Sequence, residues 1–212
     1  MSYLLFLLRK VNQLLMKNDY NQELINIINN LGDSKPKLLL HSCCGPCSSA
    51  VIERLRPYFQ ITVFYYNPNI EPEAEYLKRQ ACQIELLDQL AIPYLAPSYD
   101  HELFQNTIKD QELVKENHHR CALCINLRLS QTAQKAKTEG FAYFGTTLTI
   151  SPHQDAQLIN QIGLKLALED KINFLPADFK KQNGYQRSIE LSNKYHLYRQ
   201  NYCGCLASKK QP

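Results

Sequence analysis

The sequence predicts a doubly wound α/β domain, a parallel sheet with helices on both faces. Three observations carry that prediction. Short runs rich in branched and aromatic residues recur along the chain. Between them lie amphipathic segments of helical length rather than the tight turns that join hairpins. Connections of that length serve as crossovers, and crossovers produce parallel pairing.

In chain order, residues 3–17 and 21–31 read as helices, the second with an apolar stripe of Leu24, Ile25, Ile27, Ile28 and Leu31. "DSKP" at 33–36 breaks the pattern, and "KLLLH" at 37–41 reads as a short buried strand. The "SCCGPC" turn follows, then a helix over 48–59 that begins beside the cysteines. "ITVFYYN" at 61–67 is the second strand, 73–91 a long helix, and "IPYLAP" at 92–97 the third strand. A helix opens near Asp100, and another runs over about 121–139 until Gly140 stops it. "FAYFGTTLT" at 141–149, a helix over 155–170 and the strand "INFLPAD" at 172–178 complete the pattern. The expected organisation is a helical extension over 1–36, one α/β catalytic domain over 37–206 and a flexible tail over 207–212.

Composition excludes several classes. With 212 residues, 44 % hydrophobic and 21 % charged, the chain resembles an ordinary globular protein and not a disordered or fibrous one. The opening "YLLFLL" is short, follows no basic region and ends at Arg9-Lys10, so an amphipathic helix is expected there and not a secretion signal. No run approaches the ~20 apolar residues needed to span a bilayer, so no membrane partner is expected and a cytoplasmic location is. Cysteines in that compartment are reduced, which favours metal ligation or redox chemistry over structural disulfides. A net charge of +4 permits nucleic-acid binding through a local patch without requiring it.

Seven of the eight cysteines fall into three groups: Cys43, Cys44 and Cys47; Cys121 and Cys124; Cys203 and Cys205. The first group follows the carboxyl end of the first expected strand, where open α/β sheets place their ligands. Adjacent cysteines in extended chain point to opposite faces, so Cys43 and Cys44 are expected to serve two metal ions. Gly45 and Gly204 leave room beside the thiols for a bulky group. Four of the seven thiols fit a closed zinc site, and a four-thiolate set equally suits a [4Fe–4S] cluster, with three left for a second ion that keeps an open position. A dithiol redox pair would leave two groups without a role. Cys82, on the 73–91 helix among Leu77, Ala81, Ile84 and Leu87, reads as a buried small hydrophobe.

The segments "HSCCGPCSS", "YYNPNIEPEAEYLKR", "RCALCINLRL", "TTLTISPHQ" and "LYRQNYCGC", in that order, resemble the QueH family of epoxyqueuosine reductases over about residues 37–206. The resemblance implies an adenine-nucleotide α-hydrolase-like fold and the last step of queuosine biosynthesis, reduction of epoxyqueuosine at the wobble position of a tRNA without cobalamin. It implies a [4Fe–4S] cluster beside an additional mononuclear iron, with ligands among Cys43, Cys44, Cys47, Cys121, Cys124, Cys203 and Cys205. The family pattern admits an Asp where this chain has Cys47, and a thiolate is the softer, more electron-donating iron ligand. The expected cubane ligands are Cys121, Cys124, one of Cys43/Cys44 and one of Cys203/Cys205.

The remaining roles follow from motif position. Cys47, His41 and Asp100 are the expected catalytic residues, with His153 and Tyr66 as further proton-donor candidates. Arg79, Arg120, Arg128, Arg187 and Arg199 are the expected tRNA-binding residues, because guanidinium suits oxyanions, with Lys78, Lys180 and Lys181 outside them. The expected partners are a tRNA bearing epoxyqueuosine and an electron donor that the sequence does not name.

Overall fold

The computed structural model describes residues 18–109 and 118–209; the helix expected over 3–17 lies outside them. Asp19 opens the first helix, α1 (Tyr20–Asn29), by accepting from the backbone N–H groups of Asn21 and Gln22. There follow β1 (Lys37–His41), α2 (Gly45–Leu55), β2 (Gln60–Phe64), α3 (Glu73–Gln89), β3 (Tyr94–Leu95), α4 (His101–Ile108) and α5 (His118–Thr138). The chain continues through β4 (Tyr143–Thr146), a 3-10 turn at Leu148–Ile150, α6 (Ala156–Asp170), β5 (Asn173–Phe174), α7 (Gly184–Lys194) and a last 3-10 turn at Leu206–Ser208.

The five strands pair in parallel in the order β3-β2-β1-β4-β5. The first strand is therefore central, and the chain reverses its direction of growth there. Period-two alternation along β1 divides the interior. Leu38 and Leu40 join α1, α2, α3 and α7 on one face, and Leu39 joins α5 and α6 on the other. Both sheet faces are covered, as the sequence predicts, and the crevice at the carboxyl end of β1 is the topological switch point.

Three sequence expectations shift. Leu24 of α1 is fully buried in the main core, with Ile27, Ile28 and Leu31 packed against it, so this helix is part of the α/β core. On α3 the buried residues are Tyr76, Arg79, Gln83, Leu86 and Leu87, while Leu77 is 52 % exposed and Ala81 exposed. The helix turns two polar side chains inward, Gln83 to the cysteine turn and Arg79 to the C-terminal segment, as described below. The helix α7, which the sequence pattern did not single out, packs on α2 and contributes Leu191 to the core.

Candidate metal centre

Strand β1 ends at His41, the chain bends at Cys43, and Cys44 (φ −171°, ψ 157°) is the N-cap of α2, with Pro46 in its first turn. The Sγ atoms of Cys43, Cys44 and Cys47 all lie within 4.8 Å of one another, and those of Cys43 and Cys44 are 3.8 Å apart. The expectation that Cys43 and Cys44 face opposite ways is thereby corrected. Opposite facing requires a regular pleat, and the strand has stopped two residues earlier. A tetrahedral ion with metal–sulfur bonds of about 2.3 Å has sulfur–sulfur edges of about 3.8 Å, so the Cys43–Cys44 spacing matches one edge of a single ion's shell, with Cys47 close enough to join it.

The base of this turn is polar and buried. Ser42 and Ser48 both donate to Gln83 Oε1, at 3.0 and 2.9 Å, and Asn67 Nδ2 donates to the Ser42 carbonyl at 2.8 Å. Gln200 Nε2 donates to Cys44 Sγ at 3.0 Å. Hydrogen bonds from the Cys44 and Cys47 thiols, helped by the charge of Arg128, hold the Cys43 thiol well below its ordinary value. Burial together with the Cys43 thiolate pushes Cys44 up, and hydrogen bonding to its two neighbours together with burial pushes Cys47 up.

The other two cysteine groups lie within electrostatic reach of the first and of each other: the charges of Cys124, Cys43 and Cys205 act on Cys203, and that of Cys205 on Cys121. Cys121 and Cys124 project from the first turns of α5, and Cys203 and Cys205 from the C-terminal segment. Lost solvation pushes the Cys124 thiol up, and the charges of Cys205 and Cys121 add to it. Lost solvation likewise pushes Cys203 up to about 12, with Cys124, Cys43 and Cys205 acting on it by charge. Gln154 Nε2 donates to Cys203 Sγ at 3.4 Å.

The C-terminal segment is strapped to the start of α3. Glu71 N–H donates to the Gly204 carbonyl at 3.0 Å, and Leu206 N–H donates to Glu71 Oε1 at 3.0 Å. Arg79, 1 % exposed, donates to the carbonyls of Cys203 (2.9 Å) and Tyr202 (3.3 Å) and to Glu75 (2.7 Å). Arg79 is therefore a brace for the third cysteine group and is buried away from any tRNA surface. Ordered structure continues through the turn at Leu206–Ser208, where Ser208 Oγ donates to the Cys205 carbonyl at 2.7 Å, so the expected tail is structured at its start. The two glycines serve protein packing and not the room expected for a metal group. A Cβ on Gly45 would lie 3.2 Å from Cys82 Sγ, and one on Gly204 (φ +152°) would lie 2.8 Å from Asn69 Nδ2. Cys82 is half-buried against that backbone and outside the three-thiol group.

The other predicted site residues divide. Arg128 is 2 % exposed, and its Nε donates to the Cys124 carbonyl at 3.3 Å, so it too is withdrawn from a nucleic-acid surface. Arg187 is exposed but forked between Glu53 (2.8 and 3.0 Å) and Glu190 (2.8 Å), which matches its charge already. Arg199 is exposed, with Nη1 donating to Ser192 Oγ at 3.0 Å, and Arg120 is half-buried beside Cys121.

His41 is fully buried. Its Nε2–H donates to the Tyr66 carbonyl at 3.1 Å, and Nδ1 accepts from the Thr146 hydroxyl at 3.0 Å. Burial and then the charge of Arg128 lower its pKa to about 3. It is a neutral strut between β1, β4 and the chain after β2, and both nitrogens are occupied, which leaves it no proton to give. Asp100 is exposed and caps α4 by accepting from the Leu103 N–H at 3.2 Å. His153 is exposed on the loop before α6. Tyr66, by contrast, is 7 % exposed, packs in the same apolar cluster as Cys43 and Cys44, and is stacked on Phe64 at 5.7 Å. Burial, then the Asp100 charge, pushes its phenol up to about 12.

Five buried polar atoms around the cysteines have no hydrogen-bond partner among the described residues: Asn67 Oδ1, Asn69 Oδ1, Gln83 Nε2, Arg128 Nη1 and Gln200 Oε1. Native interiors rarely tolerate such a concentration, so the pocket fits a guest with both donors to offer and negative charge to share. The chemistry of seven thiols suits a soft metal group. Sequence reasoning missed Gln83, Gln200, Glu71 and Glu75. The polar stripe Glu75, Arg79, Gln83, repeating every four residues along α3, was the signal that could have found three positions of this brace.

Fold and site together define a class: parallel α/β proteins with a group of three thiols that could hold a metal ion at the sheet's switch point. The family model described as "Epoxyqueuosine reductase QueH" matches residues 38–211. The epoxyqueuosine reductase QueH of Staphylococcus aureus is 40 % identical over 185 residues, 84 % of this chain and 77 % of that protein. Its counterpart in Staphylococcus epidermidis is 39 % identical over 95 % of this chain and 92 % of that protein. The chain belongs to the epoxyqueuosine reductase QueH family. Among solved structures, the U34-tRNA thiolase NcsA from Methanococcus maripaludis with its [4Fe-4S] cluster aligns with a TM-score of 0.50 at 14 % identity, over 94 % of this chain and 66 % of that one. That likeness concerns the fold, which is adenine-nucleotide α-hydrolase-like. No helix among the described residues is long and apolar enough to cross a membrane.

Proposed function

We propose that this chain reduces epoxyqueuosine to queuosine in tRNA, removing the epoxide oxygen as water with two electrons and two protons and leaving an alkene. Family membership supplies the reaction. The observation that carries the mechanism is the convergence of three thiols within 4.8 Å of one another at the carboxyl end of the central strand, with four more around them.

Cys43, Cys44 and Cys47 are the seat for a single iron, and Cys121, Cys124, Cys203 and Cys205 the four-thiolate set for an iron–sulfur cubane. The spacing of the first trio supports this partition over one that divides the adjacent pair. When bound, such a pair of groups supplies electrons singly and a Lewis acid for the epoxide oxygen. The chain's own residues do the rest. Arg79 and Glu71 hold the C-terminal thiols in place. Tyr66, a buried phenol in the same apolar cluster as Cys43 and Cys44, is the candidate proton donor. Arg120 and Arg199, which have no carboxylate partner among the described residues, are the candidate phosphate contacts. Electrons come from an external one-electron donor.

The test is anaerobic purification with iron and sulfide analysis, then incubation with dithionite and epoxyqueuosine-containing tRNA, followed by nucleoside mass spectrometry. Queuosine formed in proportion to iron content supports the reading. Iron-loaded protein that leaves epoxyqueuosine intact would sink it.

A further inference from the structure

Arg128 occupies an unusual position. It is 2 % exposed, yet among the described residues no carboxylate lies within ion-pair distance of it, whereas Arg79, equally buried, is paired with Glu75 at 2.7 Å. Its Nε is spent on the Cys124 carbonyl at 3.3 Å, and its Nη1 has no partner. The groups whose charges act on it are Cys124, Cys203, Cys43 and Cys205, one or more from each of the three cysteine groups. A buried guanidinium requires a counter-anion, and among the described residues sulfur is what supplies one. Its donors are planar and fixed in direction, so a free N–H in this pocket is already aimed before any group arrives.

We propose that Arg128 is a positioning residue for the bound cluster: its free Nη1 donates a hydrogen bond to cluster or thiolate sulfur, and its charge sets the cluster's reduction equilibrium. The proposal rests on the iron–sulfur reading given above. Hydrogen bonds to sulfur and a nearby positive charge both favour the more negative, reduced state, so they raise the reduction potential. Asp or Glu in place of an arginine partner would neutralise this effect. With no carboxylate beside Arg128 among the described residues, its charge is directed at sulfur.

The test uses anaerobically reconstituted full-length protein and compares wild type with Arg128→Gln and Arg128→Lys. Iron and sulfide are quantified, and the cluster is titrated reductively with detection by electron paramagnetic resonance. Arg128→Gln is expected to shift the reduction equilibrium at least tenfold toward the oxidised cluster, about 59 mV for one electron, with a changed spectrum, and Arg128→Lys to recover part of the shift. A second readout separates this role from a merely structural one. The thermal midpoint of Arg128→Gln relative to wild type should fall further in the loaded protein than in the metal-free protein, where the counter-anion is largely missing.

A fully loaded variant with wild-type potential and spectrum would overturn the proposal and leave the iron–sulfur reading intact. Equal destabilisation with and without the cluster would also overturn it, and where the glutamine variant assembles no cluster the same comparison is made on Arg128→Lys. Wild-type protein that binds no iron and sulfide would overturn the iron–sulfur reading and this proposal with it.

Discussion

Replacing Arg79 by Met tests whether α3 holds the third cysteine group in place. The change removes two hydrogen bonds to the carbonyls of Cys203 and Tyr202 and the 2.7 Å contact with Glu75. Losing one partner of a buried ion pair costs about 3–5 kcal/mol. Glu75 keeps some solvent and the Tyr198 hydroxyl, so the lower end, about 3 kcal/mol, applies. In a chain of this size each 1 kcal/mol moves Tm by about 2–4 °C, giving an expected fall of about 6–12 °C in the metal-free, reduced protein. Local release of the strap should also uncover Cys205, which is half-buried, and loosen the backbone that holds the already exposed Cys203. Their alkylation, followed by mass spectrometry, should accelerate relative to Cys44, which is 1 % exposed and anchored on β1 and α2. Arg79→Lys keeps the pair with Glu75 but loses the two-pronged grip, so it should restore Tm more than alkylation protection. A Tm within about 1 °C of wild type together with unchanged alkylation rates would refute the bracing argument.

Cys47→Ala should leave the Cys121, Cys124, Cys203 and Cys205 set intact, so cluster absorbance persists while turnover falls at least about a hundredfold, as expected when a primary ligand is lost; unchanged turnover per cluster speaks against the three-thiol seat. Gly204→Ala places a Cβ 2.8 Å from Asn69 Nδ2 at a φ of +152°, and should cost about 1–3 kcal/mol with lower iron retention, checked by thermal denaturation and iron assay. Hydrogen bonds from Arg187 hold the Glu53 carboxyl below its ordinary 4.5. Because the folded value is the depressed one, that stabilisation is present above pH 4.5 and is lost as pH falls through the folded value. Arg187→Gln should therefore destabilise only slightly at neutral pH, since so exposed a pair is screened by solvent, and not at all in acid; denaturant melts at both pH values check this.

Much of the scaffold was legible because its signals are local. Alternation of branched strands with amphipathic helices dictates a parallel sheet whatever the tertiary details, and the cysteine turn lies at the carboxyl end of β1 as expected; the central place of β1 came only from the structure. Boundaries were less legible. The expected strand over 92–97 is only Tyr94–Leu95, since edge pairing with β2 extends just that far. Helix α7 escaped notice because its mostly polar sequence buries only Ser188, Leu191 and Ser192. The five arginines show the limit most clearly: a guanidinium near a motif looks the same in sequence whether it meets phosphate, a carboxylate or a buried carbonyl.

By itself, the sequence determined the sheet, the three groups of thiols and the position of the first at the strand end, because strand period, crossover length and cysteine spacing are properties of neighbouring residues. Only the tertiary structure decided that Cys43 and Cys44 face the same way, that Arg79 braces a segment more than a hundred residues distant, and that His41 is a neutral strut. Each of those depends on which distant groups share a desolvated space, and free energies of burial and pairing are set there and not along the chain.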